Sequence, residues 1–393
     1  MRVLAVADSD SYLKWAACLL DDLPPGCVTD LVVVRTPIAP SPEQIAAAVG
    51  GRATPPVLSA RALRRMAERE RPDVILVACT GPVVDVLVAE VLHGLRPRPV
   101  FATGLPGISV PATEKAWEFR SGCDLFVVHS EREVAEFSAI AARLGGGGAV
   151  GLARLPFLRP QRAGARDARG AGRDRVVFAT QAKVPKEREQ RERVLLSLAE
   201  LAARRPDLDV VVKMRALEDE QQTHRERHHY QRLWRELGEP GRLSFAAGSM
   251  AEQLEQAAGF VTVSSTAALE AIAQDVPLLV LSDFGVNAEM INVVFEGSGV
   301  LGTLDELTQG DFRAASPAWC AANYFHPRER DDWAGLLTGL VAGPRTPARS
   351  LLDGPAHAAA RRRARLRVEV PPTVLRAGYR AKRRVRRYLK ALS

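Results

Sequence analysis

The chain has 393 residues, 47% of them hydrophobic and 25% charged, an ordinary globular balance with apolar material for two cores. Its net charge of +8 is uneven: residues 356–393 hold 13 basic residues against the single acid Glu369, which leaves residues 1–355 at −4. A mildly acidic body argues against a specific nucleic-acid binder, and five scattered cysteines without a CxxC pair argue against a zinc ribbon or a disulfide framework and suit a reducing cytoplasm.

No apolar run reaches the roughly 18 residues of a membrane span. Met1–Asp8 reads as a first strand, being too short and too soon acidic for a signal peptide. Strands are then expected at Val3–Ala7, Asp30–Val34, Asp73–Ala78, Pro99–Thr103 and Asp124–His129. Helical patterns fall between several of them, at Tyr12–Leu23, Ala60–Arg71, Val83–Leu95 and Glu131–Leu144. Continuous apolar strands separated by helices predict a parallel sheet covered on both faces. The Arg-, Gly- and Ala-rich stretch 159–175 cannot bury a face and reads as a linker. Alternation restarts with strand Val176–Thr180 and helix Glu187–Ala203, then strand Asp209–Met214, helix His228–Leu237 and strand Leu243–Phe245. It ends with helix Met250–Ala257, strand Phe260–Val263, helix Ala267–Gln274 and strand Leu278–Leu281. The expected organisation is a first domain over 1–158, a linker, a second domain over 176–345 and a basic tail over 346–393. The fold class is α/β, two Rossmann-like doubly wound domains facing a cleft.

The sharpest local signal is a buried strand that ends in Ser264-Ser265-Thr266 and runs straight into a helix, with Asp275-Val276-Pro277 and another apolar strand beyond it. Backbone N–H groups at a helix start attract anions, and Ser or Thr there can donate to phosphate as well as cap the helix. Glu270 lies one turn further on, where a carboxylate can accept both hydroxyls of a ribose. A plain N-cap beside a surface glutamate is the alternative reading.

Residues Val263–Leu281 resemble the S/T-x-x-x-E…P block of GT-B glycosyltransferases, most closely bacterial capsule, sialic-acid-type and Kdo-type transferases. The architecture over residues 1–345 is also similar to an uncharacterised actinobacterial glycosyltransferase group. The resemblance implies that Ser264, Ser265 and Thr266 hold a donor phosphate and Glu270 a ribose, from a CMP- or UDP-sugar. The CMP-using families end an earlier strand in Lys-x-His-Pro; here that position reads Lys213-Met214-Arg215, which puts CMP in doubt. Lys213 and Arg215 are nonetheless placed to reach donor phosphates, Arg as a fork and Lys as a point charge.

Thr180, Gln181 and Lys183 follow the second domain's first strand, and either line the cleft or form an ordinary βα loop. His224 and His228 stand four apart near Glu226 and His229, but HExxH is missing, so a solvated helix start or a donor contact outweighs a metal. Neither a bound metal nor an organic cofactor is expected. No GxGxxG or GxxxxGKS occurs, which disfavours nicotinamide and P-loop enzymes. A transferase needs a base for the acceptor hydroxyl, and the first domain offers Asp10, then Glu114 and His129.

The tail places Val374, Ala381, Val385, Tyr388 and Leu392 at helical spacing among Arg and Lys. It reads either as a helix on an anionic membrane or as one that crosses back onto the first domain. The expectation is a cytoplasmic, membrane-peripheral glycosyltransferase with a nucleotide-sugar donor and a cell-surface glycan or glycolipid acceptor. A sugar-nucleotide epimerase of the same fold and a non-catalytic scaffold are the rivals.

Overall fold

Apolar runs without alternation become the inner strands of two all-parallel sheets. The structure, a computed structural model, describes residues 1–155, 158, 172–214 and 227–370. The chain divides into two compact units, one formed by Met1–Pro156 with Pro327–Ser393, the other by Phe157–His326.

The first unit's strands are β1 (Arg2–Ala7), β2 (Val28–Val34), β3 (Val57–Leu58), β4 (Val74–Ala78), β5 (Val100–Gly104), β6 (Leu125–Val128) and β7 (Ala149–Leu152). They pair in the order β3-β2-β1-β4-β5-β6-β7. Its helices are α1 (Asp10–Asp21), α2 (Pro42–Val49), α3 (Ala60–Glu70), α4 (Gly81–Val86), α5 (Glu114–Glu118) and α6 (Glu131–Leu144). One face of the sheet buries Leu13, Trp15, Leu19 and Ile45, and the other buries Leu63, Val84 and Leu87. Burial on both faces is why these strands carry no polar alternation.

The second unit has β8 (Arg175–Ala179), β9 (Asp209–Lys213), β10 (Ser244–Ala246), β11 (Ala257–Thr262), β12 (Leu278–Leu281) and β13 (Leu301–Gly302), in the order β10-β9-β8-β11-β12-β13. Between and after them run α7 (Arg188–Arg204), α8 (Tyr230–Glu236), α9 (Met250–Glu255), α10 (Ala267–Ala273), α11 (Leu304–Gln309) and α12 (Pro317–Ala322). Both sheets reverse direction of growth beside their first strand, between β1 and β4 and between β8 and β11. The doubly wound expectation is therefore met in each unit.

Several boundaries differ from expectation. The helix expected over Val83–Leu95 is α4 followed by a π-helical turn, Leu87–Val91. The short β3, β7 and β13 and the helix α2 had no expected counterpart; two- to four-residue strands are too brief to show a period. The larger correction concerns residues 327–345, expected in the second domain. They belong to the first unit, where α13 (Trp333–Ala342) buries Trp333 and Leu337 in the core with Leu125 and Val127. Gly151 permits this, since a Cβ there would meet the Trp333 backbone at 3.1 Å. A helical pattern shows which face is apolar but not which core receives it. The last described helix, α14 (Pro355–Glu369), also joins the first unit, through Ala364 and Val368. Most of the expected linker and residues 371–393 of the tail lie outside the described residues.

Candidate functional site

In a doubly wound sheet ligands bind beyond the carboxyl ends of the strands, where the strand order reverses. In the second unit that point lies between β8 and β11, and the residues that follow these strands are Thr180-Gln181 and Val263–Thr266. Ser264 Oγ donates to Gln181 Oε1 at 2.7 Å, and Gln181 Nε2 donates back to the Ser264 carbonyl at 2.6 Å. This reciprocal pair bridges the two strand ends and fixes the Gln181 amide. Thr262 Oγ1 donates to the Ala179 carbonyl at 3.0 Å and accepts from Ser265 N at 3.1 Å, which shapes the turn. Ser265 Oγ accepts from Ala267 N at 3.2 Å, so the capping role expected of this hydroxyl run falls to Ser265. Thr266, the residue at the N-cap itself, makes no side-chain cap. Ser264 is buried, whereas Gln181, Ser265, Thr266 and Glu270 are half-buried and Lys183 is exposed. Two constellations 83 positions apart in sequence thus meet at one point.

Lys213 is buried, and its Nζ donates to the Met214 carbonyl at 2.8 Å, so this ammonium is engaged by its own strand end. Thr180 is buried too, its N–H and hydroxyl both donating to the Lys213 carbonyl, at 3.0 and 3.2 Å. Arg215, His224 and Glu226 lie outside the described residues. His228 is half-buried, and among the described residues no group of three or more His, Cys, Asp or Glu side chains can hold a metal.

Arg191 is the residue that sequence reasoning missed. It is 2% exposed in α7 and donates to the carbonyls of Pro185, His228, Gln181 and Ala182 at 2.7–3.1 Å. Its guanidinium also lies 4.8 Å over the Tyr230 ring. One buried cation thereby holds the loop that carries Gln181. The signal was present: 191, 194, 195 and 198 share a helix face whose other members are apolar. Beyond β12, Asn292 donates to the Gly285 carbonyl at 3.0 Å and accepts from Asn287 N at 3.1 Å. That loop holds Ile291 at φ 61°, a left-handed conformation that costs a β-branched residue about 1–3 kcal/mol.

The first unit's reversal point, between β1 and β4, is filled by its own side chains. Asp8, fully buried, accepts from Thr80 N at 2.9 Å and from Thr80 Oγ1 at 2.6 Å. Burial pushes the Asp8 carboxyl above its usual range, against the pull of the Thr80 hydrogen bonds and the Arg120 charge. Arg120, also buried, donates to Tyr12 Oη at 2.7 Å and to the Gly104 carbonyl at 3.2 Å.

Of the three expected bases, only Asp10 stands exposed next to this point, as the first residue of α1. His129 is fully buried: Trp15 Nε1 donates to its Nε2 at 2.7 Å, and its Nδ1 lies 2.9 Å from the Ala153 carbonyl. Its Nε2 also lies 3.0 Å from the Leu105 carbonyl, so both ring nitrogens are engaged in the interior, a packing role in place of the expected catalytic one. Glu114 pairs with Arg143 at 2.7 Å, both about half exposed, so it is a surface ion pair. A cavity of about 280 Å³ lies elsewhere in the first unit, between Val84, Val88, Leu92, Phe101 and Phe119 near the amino ends of the strands. It touches neither reversal point.

These two sheets define a class: paired doubly wound units of the GT-B type. The Neisseria meningitidis UDP-GlcNAc 2-epimerase bound to UDP-GlcNAc is similar, with a TM-score of 0.54 and 12% identity over 87% of this chain and 100% of that one. The S. aureus MnaA–UDP co-structure gives 0.53 and 12% over 87% and 95%. A Listeria monocytogenes structure described as a "putative UDP-N-acetylglucosamine 2-epimerase" gives 0.55 and 12% over the same shares. At such identity the likeness is one of fold. No curated protein matches the sequence. The chain belongs to the family described as "Putative glycosyltransferase (DUF6716)", whose model matches residues 3–340. Neither comparison reaches the narrower capsule- or Kdo-type resemblance.

Proposed function

We propose that the protein is a glycosyltransferase using a nucleotide-activated sugar, with the donor nucleotide at the β8/β11 reversal point of the second unit. The observation that carries this reading is the reciprocal Gln181–Ser264 pair. It presents the half-buried Ser265, Thr266 and Glu270 together at the place where topology puts a ligand. Ser265 and Thr266 hydroxyls donate to the donor phosphate, and Glu270 accepts from ribose hydroxyls. Lys213 and Arg215 offset the charge that develops on the leaving phosphate. As the bond from the anomeric carbon to the phosphate oxygen breaks, the acceptor oxygen bonds to that carbon. Its proton goes to a first-unit carboxylate, for which Asp10 is the exposed choice. The reaction needs no bound metal in this scheme, and the acceptor is a cell-surface polysaccharide or glycolipid built from the cytoplasm.

A thermal-shift panel of UDP, CMP, GDP and CDP finds the base, because a ligand that binds only the folded chain raises Tm by mass action. Because two of the structural relatives were solved with UDP or UDP-GlcNAc, UDP is the first choice. Ser265→Ala with Thr266→Ala is expected to weaken the stabilising nucleotide by about 1–3 kcal/mol, the size of charge-assisted hydrogen bonds. Unchanged affinity in a folded double variant leaves these hydroxyls with the turn alone. Nucleotide release that depends on added acceptor supports the transferase. Release without one, with the sugar recovered as its epimer, makes the protein an epimerase, the activity named for the structures it resembles.

A further inference from the structure

The contacts of α14 divide its five arginines into two sets. Arg361 Nε and Nη2 donate to both carboxylate oxygens of Asp85 at 2.8 Å, and Arg365 donates to Glu90 and to Glu369 at 2.8 Å. Between them Ala364 and Val368 are buried in the core that α3 and α4 cover. These four residues are the face by which the helix is fastened. Arg362, Arg363 and Arg367 are exposed, and none has a carboxylate partner among the described residues. Leu366, beside them, is 52% exposed. At 100° per residue, positions 362, 366, 363 and 367 fill one arc of about 140°, opposite the fastened face.

Fastening α14 does not require the outward arginines, and an exposed leucine among them gains nothing from water. The following residues, 371–393, add eight basic residues and no acid, while residues 1–355 carry −4. Positive charge is thus concentrated at one end of a sequence whose remainder is mildly acidic. We propose that the outward face of α14 docks on an anionic lipid bilayer, with Arg362, Arg363 and Arg367 on headgroup phosphates and Leu366 among the upper acyl carbons. Leu366 separates this partner from nucleic acid: a phosphate backbone rewards the arginines alone, whereas a bilayer interface takes charge and apolar surface together. The docking is independent of the donor-site assignment.

The test uses the full chain and co-sedimentation with vesicles of phosphatidylcholine alone or mixed in equal parts with phosphatidylserine. Wild-type protein should bind the anionic vesicles and leave them as salt shortens the screening length. Arg362→Glu with Arg363→Glu and Arg367→Glu should weaken that binding at least about a hundredfold, given the usual worth of a basic residue at a charged membrane. Its Tm should be unchanged, because these side chains have no carboxylate partner among the described residues. Leu366→Ser, the milder variant should the triple one misfold, should cost about tenfold. Arg361→Gln should do the reverse, lowering Tm while vesicle affinity stays. A triple variant that binds like wild type, or wild-type protein indifferent to phosphatidylserine, overturns the proposal. So does wild-type protein that prefers duplex DNA to the vesicles and loses that preference in the triple variant.

Discussion

Asp8 and Ser264 flank equivalent reversal points, Asp8 just past β1 and Ser264 just past β11, yet their surroundings differ. Around Asp8 the polar groups of Tyr12, Thr80, Arg120 and His129 are turned inward and engage one another or the backbone. Around Ser264 one reciprocal pair with Gln181 is closed, and the neighbouring Ser265, Thr266 and Glu270 keep part of their surface exposed. Topology supplies a crevice twice; side-chain chemistry decides which one retains polar groups for a ligand. By that criterion the proposed nucleotide site falls in the second unit, and the first offers carboxylates only at its margin.

The comparison breaks most visibly at Arg191. Replacing it with Leu leaves the carbonyls of Gln181, Ala182, Pro185 and His228 without their donor and removes the cation from over the Tyr230 ring. The expected loss is about 3–5 kcal/mol of stability, read as a fall in the denaturation midpoint, with nucleotide affinity lost as the Gln181 loop slackens. A variant as stable as wild type would mean that the loop is held by something other than this arginine.

Ser264→Ala is subtler, since it removes a single donor and leaves Gln181 Oε1 to find another. We expect about 1 kcal/mol of stability lost and a nucleotide affinity reduced by less than tenfold. If affinity falls further, Ser264 itself reaches the ligand and the pair with Gln181 is exchanged on binding.

Asp8 sharpens the other half of the comparison through pH. Its pKa is raised in the folded protein, so the folded state holds the proton more tightly than the unfolded one. Its contribution to stability is therefore present at low pH and is lost as pH rises through the folded value. Asp8→Asn carries no charge to bury. The Tm of that variant relative to wild type should rise as pH climbs above the ordinary 3.8, then level off. A constant difference across that range would show that Asp8 stays charged in the folded protein.

The fold was legible because buried parallel strands have a strong signature. Val74–Ala78 and Leu278–Leu281 are runs no helix of that length explains, and both are strands. The hydroxyl run Ser264–Thr266 was legible for the same reason, being fixed by a strand before it and a helix after it. Partnership was not legible. Nothing in the sequence ties Ser264 to Gln181, or His129 to Trp15 across 114 positions, since such contacts depend on strand order. His129 and Glu114 came to rest in opposite settings. A titratable residue past a strand looks the same in sequence whether it ends in a closed interior, as His129 does, or in a surface ion pair, as Glu114 does.

Glu114→Gln is the smallest of these effects and isolates the choice of base. Both members of the Glu114–Arg143 pair are about half exposed, so solvent screens the attraction and holding two long side chains in place offsets much of the rest. Stability should change by less than about 1 kcal/mol, and the loss should shrink further in high salt. Turnover should be unaffected, whereas Asp10→Asn should reduce it by about 10²–10⁴-fold if Asp10 takes the acceptor proton. The two variants are informative together. Each removes one carboxylate from the first unit at an exposed position, so a general change in surface charge acts on both alike and cancels. What remains is location: Asp10 opens α1 beside the reversal point, while Glu114 opens α5 and is tied to α6 through Arg143. Loss of turnover in Glu114→Gln with Asp10→Asn active would move the acceptor to the α5 side of the unit. The contrast between a filled reversal point in the first unit and an open one in the second would then lose its meaning for catalysis.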